Sequence, residues 1–237
     1  MQDILSLLSF SDGGWGTALA AGTLVTLSLA LTTLPVGLFL GLGVALMARS
    51  NSPRLRAIAT VFTTIFRGLP ELLTLLIVYY GGQILIQRLM AAMGFEAQIQ
   101  INAFLAGVIA FGLVLAAFSS EVWVGALNTI ARGQYEAASA LGLTKWLSFR
   151  LVVFPQLMRA ALPGLSNNWL TLLKDTSLIS TISLVDIMRQ TNLAVGATKQ
   201  PMVFYLTACF LYLILSAGSG FAFAFLERRA NRGHVRG

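Results

Sequence analysis

Five ionisable side chains stand where a long apolar sequence has little room for them: Arg67, Glu71, Glu121, Lys174 and Asp175. Charged groups at membrane depth are costly, and they usually face a bundle interior or a water-filled path. Glu71, Glu121 and Asp175 set against Lys174 would suit a zwitterion with an extra positive group. Glu121 follows Ser119 and Ser120, so it either grips a cationic or amino group or sits hydrated near the inner interface. Lys174 and Asp175 are adjacent, so on a helix they diverge by about a hundred degrees and do not neutralise each other simply. Each wants a separate partner or a polar cavity, with interhelix bonding as the alternative. Arg67 and Glu71 are four apart around Gly68-Leu69-Pro70, and they pair along one helix only if it survives the proline. They are either a structural ion pair or part of a transport path.

Enzyme signatures are missing. There is no HExxH pair, no GxSxG elbow and no GxxxxGK[ST] loop. Gly218-Ser219-Gly220 lies in the last apolar run, but the lone His234 sits in a basic tail and reads as solvated, not as a base. Cys209 is the single cysteine, so neither a disulfide framework nor a CxxC metal site is available, and no metal site is expected. Without a phosphate-binding loop the chain does not hydrolyse ATP by the usual cradle. Energy for any ATP-driven work must arrive through a partner.

The elements that would position these groups are membrane spans. Of 237 residues, 57% are hydrophobic and only 11% charged, with a mean hydropathy of +0.79; a soluble domain carries about a quarter charged residues. Apolar runs at 17–47, 57–89, 102–127, 157–182 and 202–226 predict an all-α integral membrane protein, one domain over 1–237 with about five spans. Gly37 and Gly41 share one helix face and suit close helix packing. Pro35 predicts a kink, and Pro70 a break or strong tilt. The leading segment has Asp3 and Asp12 and no basic residue, which argues against a cleaved signal peptide.

The formal net charge of +7 records orientation rather than nucleic-acid binding. Arg49, Arg54, Arg56, Arg132, Lys145, Arg150, Arg159, Arg228, Arg229, Arg232 and Arg236 fall on one side; Arg88, Arg189 and Lys199 fall on the other. The basic side, with the C-terminus, is expected to be cytoplasmic. An odd number of spans puts the N-terminus outside.

Between the third and fourth runs lies a polar, helix-forming island, 132–155, containing EAASALGLTKWLSFRLVVFP from Glu136 to Pro155. Ala137, Ala138, Ala140 and Leu141 favour helix, Gly142 supplies a C-terminal stop, and Thr144 caps a second short helix. Ala137, Ala138 and Leu141 make an apolar face too small to be a core, which reads as a docking surface. The alternative is an amphipathic helix resting on the bilayer.

EAA, three residues, Gly, nine residues and an I-x-L-P-like quartet resemble the signature of permease subunits of bacterial ATP-driven (ABC-type) importers. Here the quartet is Val152-Val153-Phe154-Pro155, with Val for Ile and Phe for Leu. FRGLPELL, ALPGLSNNWLTLLK and FLERR extend the likeness to the polar amino-acid family, in its histidine, octopine and nopaline Q-type branch. The resemblance implies the type I permease fold, with Glu136, Ala137, Ala138, Gly142 and Pro155 in a cytoplasmic coupling hairpin seated in a cleft of the ATPase. It implies alternating access for polar amino acids, with basic amino acids or opines suggested by the resemblance and the charge inventory together, and the likeness of LLKDTSLIS puts Asp175 first, then Lys174, beside the substrate path. It also implies a dimer of ATPase subunits that holds ATP and Mg²⁺, no cofactor in this chain, a second homologous permease subunit and a periplasmic substrate-binding protein. The place is the bacterial inner membrane, N-terminus periplasmic and C-terminus cytoplasmic. A permease for another small solute, or a passive channel or scaffold without ATPase, is the alternative.

Overall fold

A computed structural model describes residues 4–11, 13–94 and 100–231. Asp3, Asp12, His234 and the tail arginines Arg232 and Arg236 lie outside the described residues. After the short α1 (Ile4–Leu7) comes α2 (Gly16–Ala48), which continues through Pro35. α3 (Pro53–Gly68) follows a β-region Ser52 and opens on Pro53, a position where the missing amide hydrogen costs nothing. α4 (Glu71–Leu76), a π-helical segment (Ile77–Gly81) and α5 (Gly82–Ala92) run on as one apolar helix. α6 (Ala103–Asn128) is capped by Asn102, whose Oδ1 accepts from the Phe104 and Leu105 amides. α7 (Arg132–Ala140), α8 (Lys145–Ser148), a π-helical segment (Phe149–Val153) and α9 (Phe154–Asp175) follow, and a 3₁₀ stretch (Thr176–Ile182) extends α9. α10 (Ile187–Thr198) and α11 (Pro201–Ala230) complete the bundle.

α6 is the central helix, packed against α2, α3, α4 and α9. Phe111, Leu115, Leu29, Leu75, Trp169, Leu173 and Ile179 form the larger core; Trp123, Ala45, Val153, Leu157 and Ala161 form a second one toward the basic end. The expected close approach occurs at Gly37 and Gly41. A Cβ on Gly37 would lie 2.5 Å from Leu115 Cδ2, and one on Gly41 would lie 2.8 Å from the Ala116 carbonyl oxygen and against Ser119 Oγ. With no side chain in the way, Ser119 Oγ donates to the Gly37 carbonyl at 3.3 Å and Trp123 Nε1 to the Leu38 carbonyl at 3.3 Å.

One expectation needs correction. The run 57–89 is not one span: α3 ends at Gly68, Leu69 and Pro70 are extended (ψ 140° and 138°), and a new helix starts at Glu71. Among the described residues four helices are long and apolar enough to cross a membrane: Gly16–Ala48, Glu71–Ala92, Ala103–Asn128 and Pro201–Ala230. The run 157–182 falls outside that standard. Asn167, Asn168, Lys174 and Asp175 lower its hydropathy, and its helix changes type at Thr176.

The connector after Ser183 is also helical. Asp186 caps α10, its Oδ1 accepting from the Arg189 amide at 2.8 Å, while Oδ2 has no hydrogen-bond partner. The side chain is fully buried against α2, where Gly22 leaves room for its backbone. Burial pushes the Asp186 carboxyl up to about 6 from its ordinary 3.8, against the pull of the cap amides and Arg189. A raised folded-state value means that folding takes up a proton between those two pH values. The contribution of this residue to stability is therefore highest below pH 3.8 and falls as pH rises to about 6. Asp186→Asn keeps the cap acceptor and removes the buried charge. It is expected to stabilise the protein by about 2 kcal/mol at pH 7.5 and to flatten the pH dependence between 4 and 6. Thermal unfolding of the detergent-solubilised protein at a series of pH values checks this.

Candidate functional site: a hairpin and a charged path

α7 stops by a Schellman arrangement. Gly142 has φ +73°, its amide donates to the Ser139 carbonyl at 3.0 Å, and the Leu143 amide donates to the Ala138 carbonyl at 3.1 Å. A Cβ at Gly142 would meet nothing within 4 Å, so the chain itself needs glycine there for its left-handed backbone and not for space. Thr144 Oγ1 accepts from the Leu147 amide at 3.4 Å, as the sequence suggested. The second arm is not a separate helix, because α8 passes through the π-helical segment into α9. Pro155 sits in the first turn of α9. The expected apolar face divides. Ala138 is buried, whereas Ala137 and Leu141 face outward, Leu141 being 79% exposed. Glu136 is exposed, as are Tyr135 and Trp146, the latter 66% exposed. Between the arms is a cavity of about 370 Å³ lined by Tyr135, Ser139, Leu143, Lys145, Ser148 and Phe149. Gln156 Nε2 donates to Gln134 Oε1 at 3.2 Å and ties the first arm to α9.

The path residues separate into two groups. Asp175, at the end of α9, lines a cavity of about 120 Å³ with Asn167, Asn168 and Thr171 on one side and Phe111 and Phe118 of α6 on the other. Residues 167, 171 and 175 are four apart and share one stripe of the helix. Asn168 Nδ2 is buried without a hydrogen-bond partner. Glu71, at the start of α4, lies close enough to act on Asp175 electrostatically, as does Lys174. Lys174 is exposed, does not line the cavity and makes no ion pair with Asp175.

Arg67 does not pair with Glu71. The break at Leu69–Pro70 turns it toward α6, where Nη1 meets Glu121 Oε1 at 2.5 Å, the one ion pair among the described residues. The guanidinium also lies over the Phe118 ring, 5.6 Å from its centroid. Ser119 and Ser120 do not join Glu121 in gripping anything, because their hydroxyls donate to carbonyls at Gly37, Ala116 and Ala117. Arg67 and Glu121 line a second, larger cavity of about 390 Å³ with Thr60, Thr63, Thr64 and Ser120. Sequence reasoning did not single out Phe118, Thr171 or the threonines of α3. The four-residue spacing of Asn167, Thr171 and Asp175, and the four-then-three spacing of Thr60, Thr64 and Arg67 along one helix face, were the available signal.

A bundle of apolar helices with a break before Glu71, and a polar two-armed hairpin projecting between α6 and α9, defines a type I importer permease. Residues 35–232 match the family described as binding-protein-dependent transport system inner membrane component, and the chain belongs to that family. It is 40% identical over 233 residues to the octopine transport system permease protein OccQ of Rhizobium meliloti, covering 98% of each chain. It is 36% identical to the histidine/lysine/arginine/ornithine transport system permease protein HisQ of Escherichia coli, covering 94% of this chain and 97% of that one. The crystal structure of an amino acid ABC transporter with histidines matches with a TM-score of 0.78 at 27% identity, over 97% of this chain and 99% of that one. The protein is thus a membrane permease subunit of an ABC importer and not an enzyme. Membership implies a partner ATPase and a substrate-binding protein.

Proposed function

We propose that this chain is a permease subunit for basic amino acids or opines, and that Asp175 in its Asn-lined cavity carries the preference. A carboxylate with no cation pairing it, set beside a buried amide donor without a partner, offers one site to a cationic group and another to an acceptor. The relatives' printed cargoes support that class: octopine for one, and histidine, lysine, arginine and ornithine for the other. Glu71 adds negative potential, and Lys174, Glu121 and Arg67 complete the charged path.

Transport proceeds by alternating access, driven by a separate ATPase dimer that binds ATP and Mg²⁺. The hairpin from Arg132 to Pro155, with Glu136, Ala137, Ala138 and Gly142, docks on that ATPase. A second, related permease subunit completes the membrane unit, and a periplasmic protein delivers cargo. The excess of Arg and Lys at the hairpin end supports a cytoplasmic C-terminus and a periplasmic N-terminus. Cargo drives the change only through different affinities for the two states.

The test is uptake of labelled arginine, octopine and glutamine by cells expressing the whole system. Asp175→Asn is expected to lower the maximal arginine and octopine rates about tenfold, equivalent to ~1.4 kcal/mol, and to spare glutamine. Equal arginine uptake after alanine at Glu71, Glu121, Lys174 and Asp175 alike would sink the path assignment.

A further inference from the structure

The larger cavity is chemically different from the one at Asp175. Its wall carries one cation and one anion, Arg67 and Glu121, joined to each other, with Thr60 and Thr64 hydroxyls beside them. The pair is 41% and 55% exposed, and pairs this open are held only weakly against exchange with another charged partner. Arg67 spends one of its five N–H donors on Glu121, and one Glu121 oxygen is engaged. The guanidinium lies over the ring of Phe118, which also lines the Asp175 cavity. This ring thus lines one cavity and touches Arg67 of the other. α3 has Ala59 as its one buried residue, and its end passes into the extended joint at Leu69–Pro70.

We infer that the Arg67–Glu121 pair is a site for the α-carboxylate and α-amino groups of an amino acid, reached from the Asp175 cavity past Phe118. This rests on the cargo class proposed above. Arg67 presents a planar fork that matches a carboxylate bidentately, and Glu121 accepts from an ammonium. In the empty chain the two satisfy each other. A zwitterion replaces one pair by two, so its backbone groups are read here while Asp175 reads a positive side chain. The threonine hydroxyls supply neutral hydrogen bonds without adding charge, which leaves the bound zwitterion free to depart.

The test uses the intact permease–ATPase complex in nanodiscs, without binding protein, and three probes: arginine, argininamide, which lacks the carboxylate, and Nα-acetylarginine, which lacks the ammonium. The wild-type complex is expected to bind arginine at least tenfold more tightly than either analogue. Arg67→Met erases the preference over argininamide, and Glu121→Gln erases the preference over Nα-acetylarginine. Arg67→Lys keeps a cation beside Glu121 but loses the fork, so it lowers the carboxylate preference even if Arg67→Met does not assemble. Asp175→Asn weakens all three probes alike and leaves the ratios intact. If the Arg67 variants weaken arginine and argininamide equally, or change neither, the site is overturned. Arginine leakage from loaded vesicles with unchanged ratios would make the pair a gate and would also overturn it. No binding of any probe by the wild type would instead refute the cargo class on which the inference rests.

Discussion

Gly142→Asp is expected to abolish ATP-driven uptake, by a hundredfold or more, in a protein that still reaches the membrane and keeps its fold. The backbone at this position is left-handed, and aspartate tolerates that region better than most side chains, at a cost of about 1 kcal/mol. Nothing in the chain lies within 4 Å of the added Cβ, so the new carboxylate points into open space. On the proposed docking, what it meets is the ATPase. The neighbouring Leu141 and Trp146 are large apolar groups exposed to water in the isolated chain, and a charge between them must be desolvated when they are covered. Two measurements check the result together: uptake in cells with equal membrane levels of both proteins, and ATPase stimulation by loaded binding protein in proteoliposomes. Loss of both with an unchanged melting temperature is the expected pattern. Uptake indifferent to the substitution would mean that the hairpin does not couple, and a passive pore would then be the better account.

The hairpin was legible because its determinants are local. A glycine stop, a threonine cap and a run of helix formers each act within about five residues, and each is found where the pattern put it. The Pro70 break was legible for the same reason. Its consequence was not. Arg67 and Glu71 suggested a pair by spacing, but that rule presumes a continuous helix; with the helix broken, Arg67 found Glu121, 54 residues away. No local pattern encodes such a partner. The divergence of Lys174 and Asp175 followed from helix geometry alone, and one lines a cavity while the other does not. Which of the polar residues near Asp175 would face it depended on how α9 rotates against α6. That rotation is set by packing across many residues of both helices, and single runs do not contain it. The fourth apolar run differs from the others in another way: its helix carries a polar face that belongs to the cavity, and its end is wound as 3₁₀ helix.

The packing of α2 on α6 carries the largest expected effect on stability. Gly41→Val should prevent assembly, with a destabilisation of about 3 kcal/mol or more. A Cβ at Gly41 would come within 2.8 Å of the Ala116 carbonyl oxygen, which belongs to the backbone of a helix and has no rotamer through which to yield. The helices must separate, and separation breaks the neighbouring Ser119–Gly37 and Trp123–Leu38 hydrogen bonds. In a bilayer those polar groups gain no water when they part, so close approach through small residues is a main source of helix association there. Gly37→Val meets Leu115, whose terminal methyls can turn but whose Cβ, 2.7 Å away, cannot. It should therefore also destabilise, by less than Gly41→Val. Gly43→Ala is the matched control, since nothing stands within 4 Å of its added carbon. Because α6 also carries Phe118 and Glu121, any shift that relieves the clash at Gly41 displaces both cavities. A partly folded Gly41→Ala protein should consequently lose uptake before it loses membrane insertion, and measuring transport and melting on the same preparation separates the two.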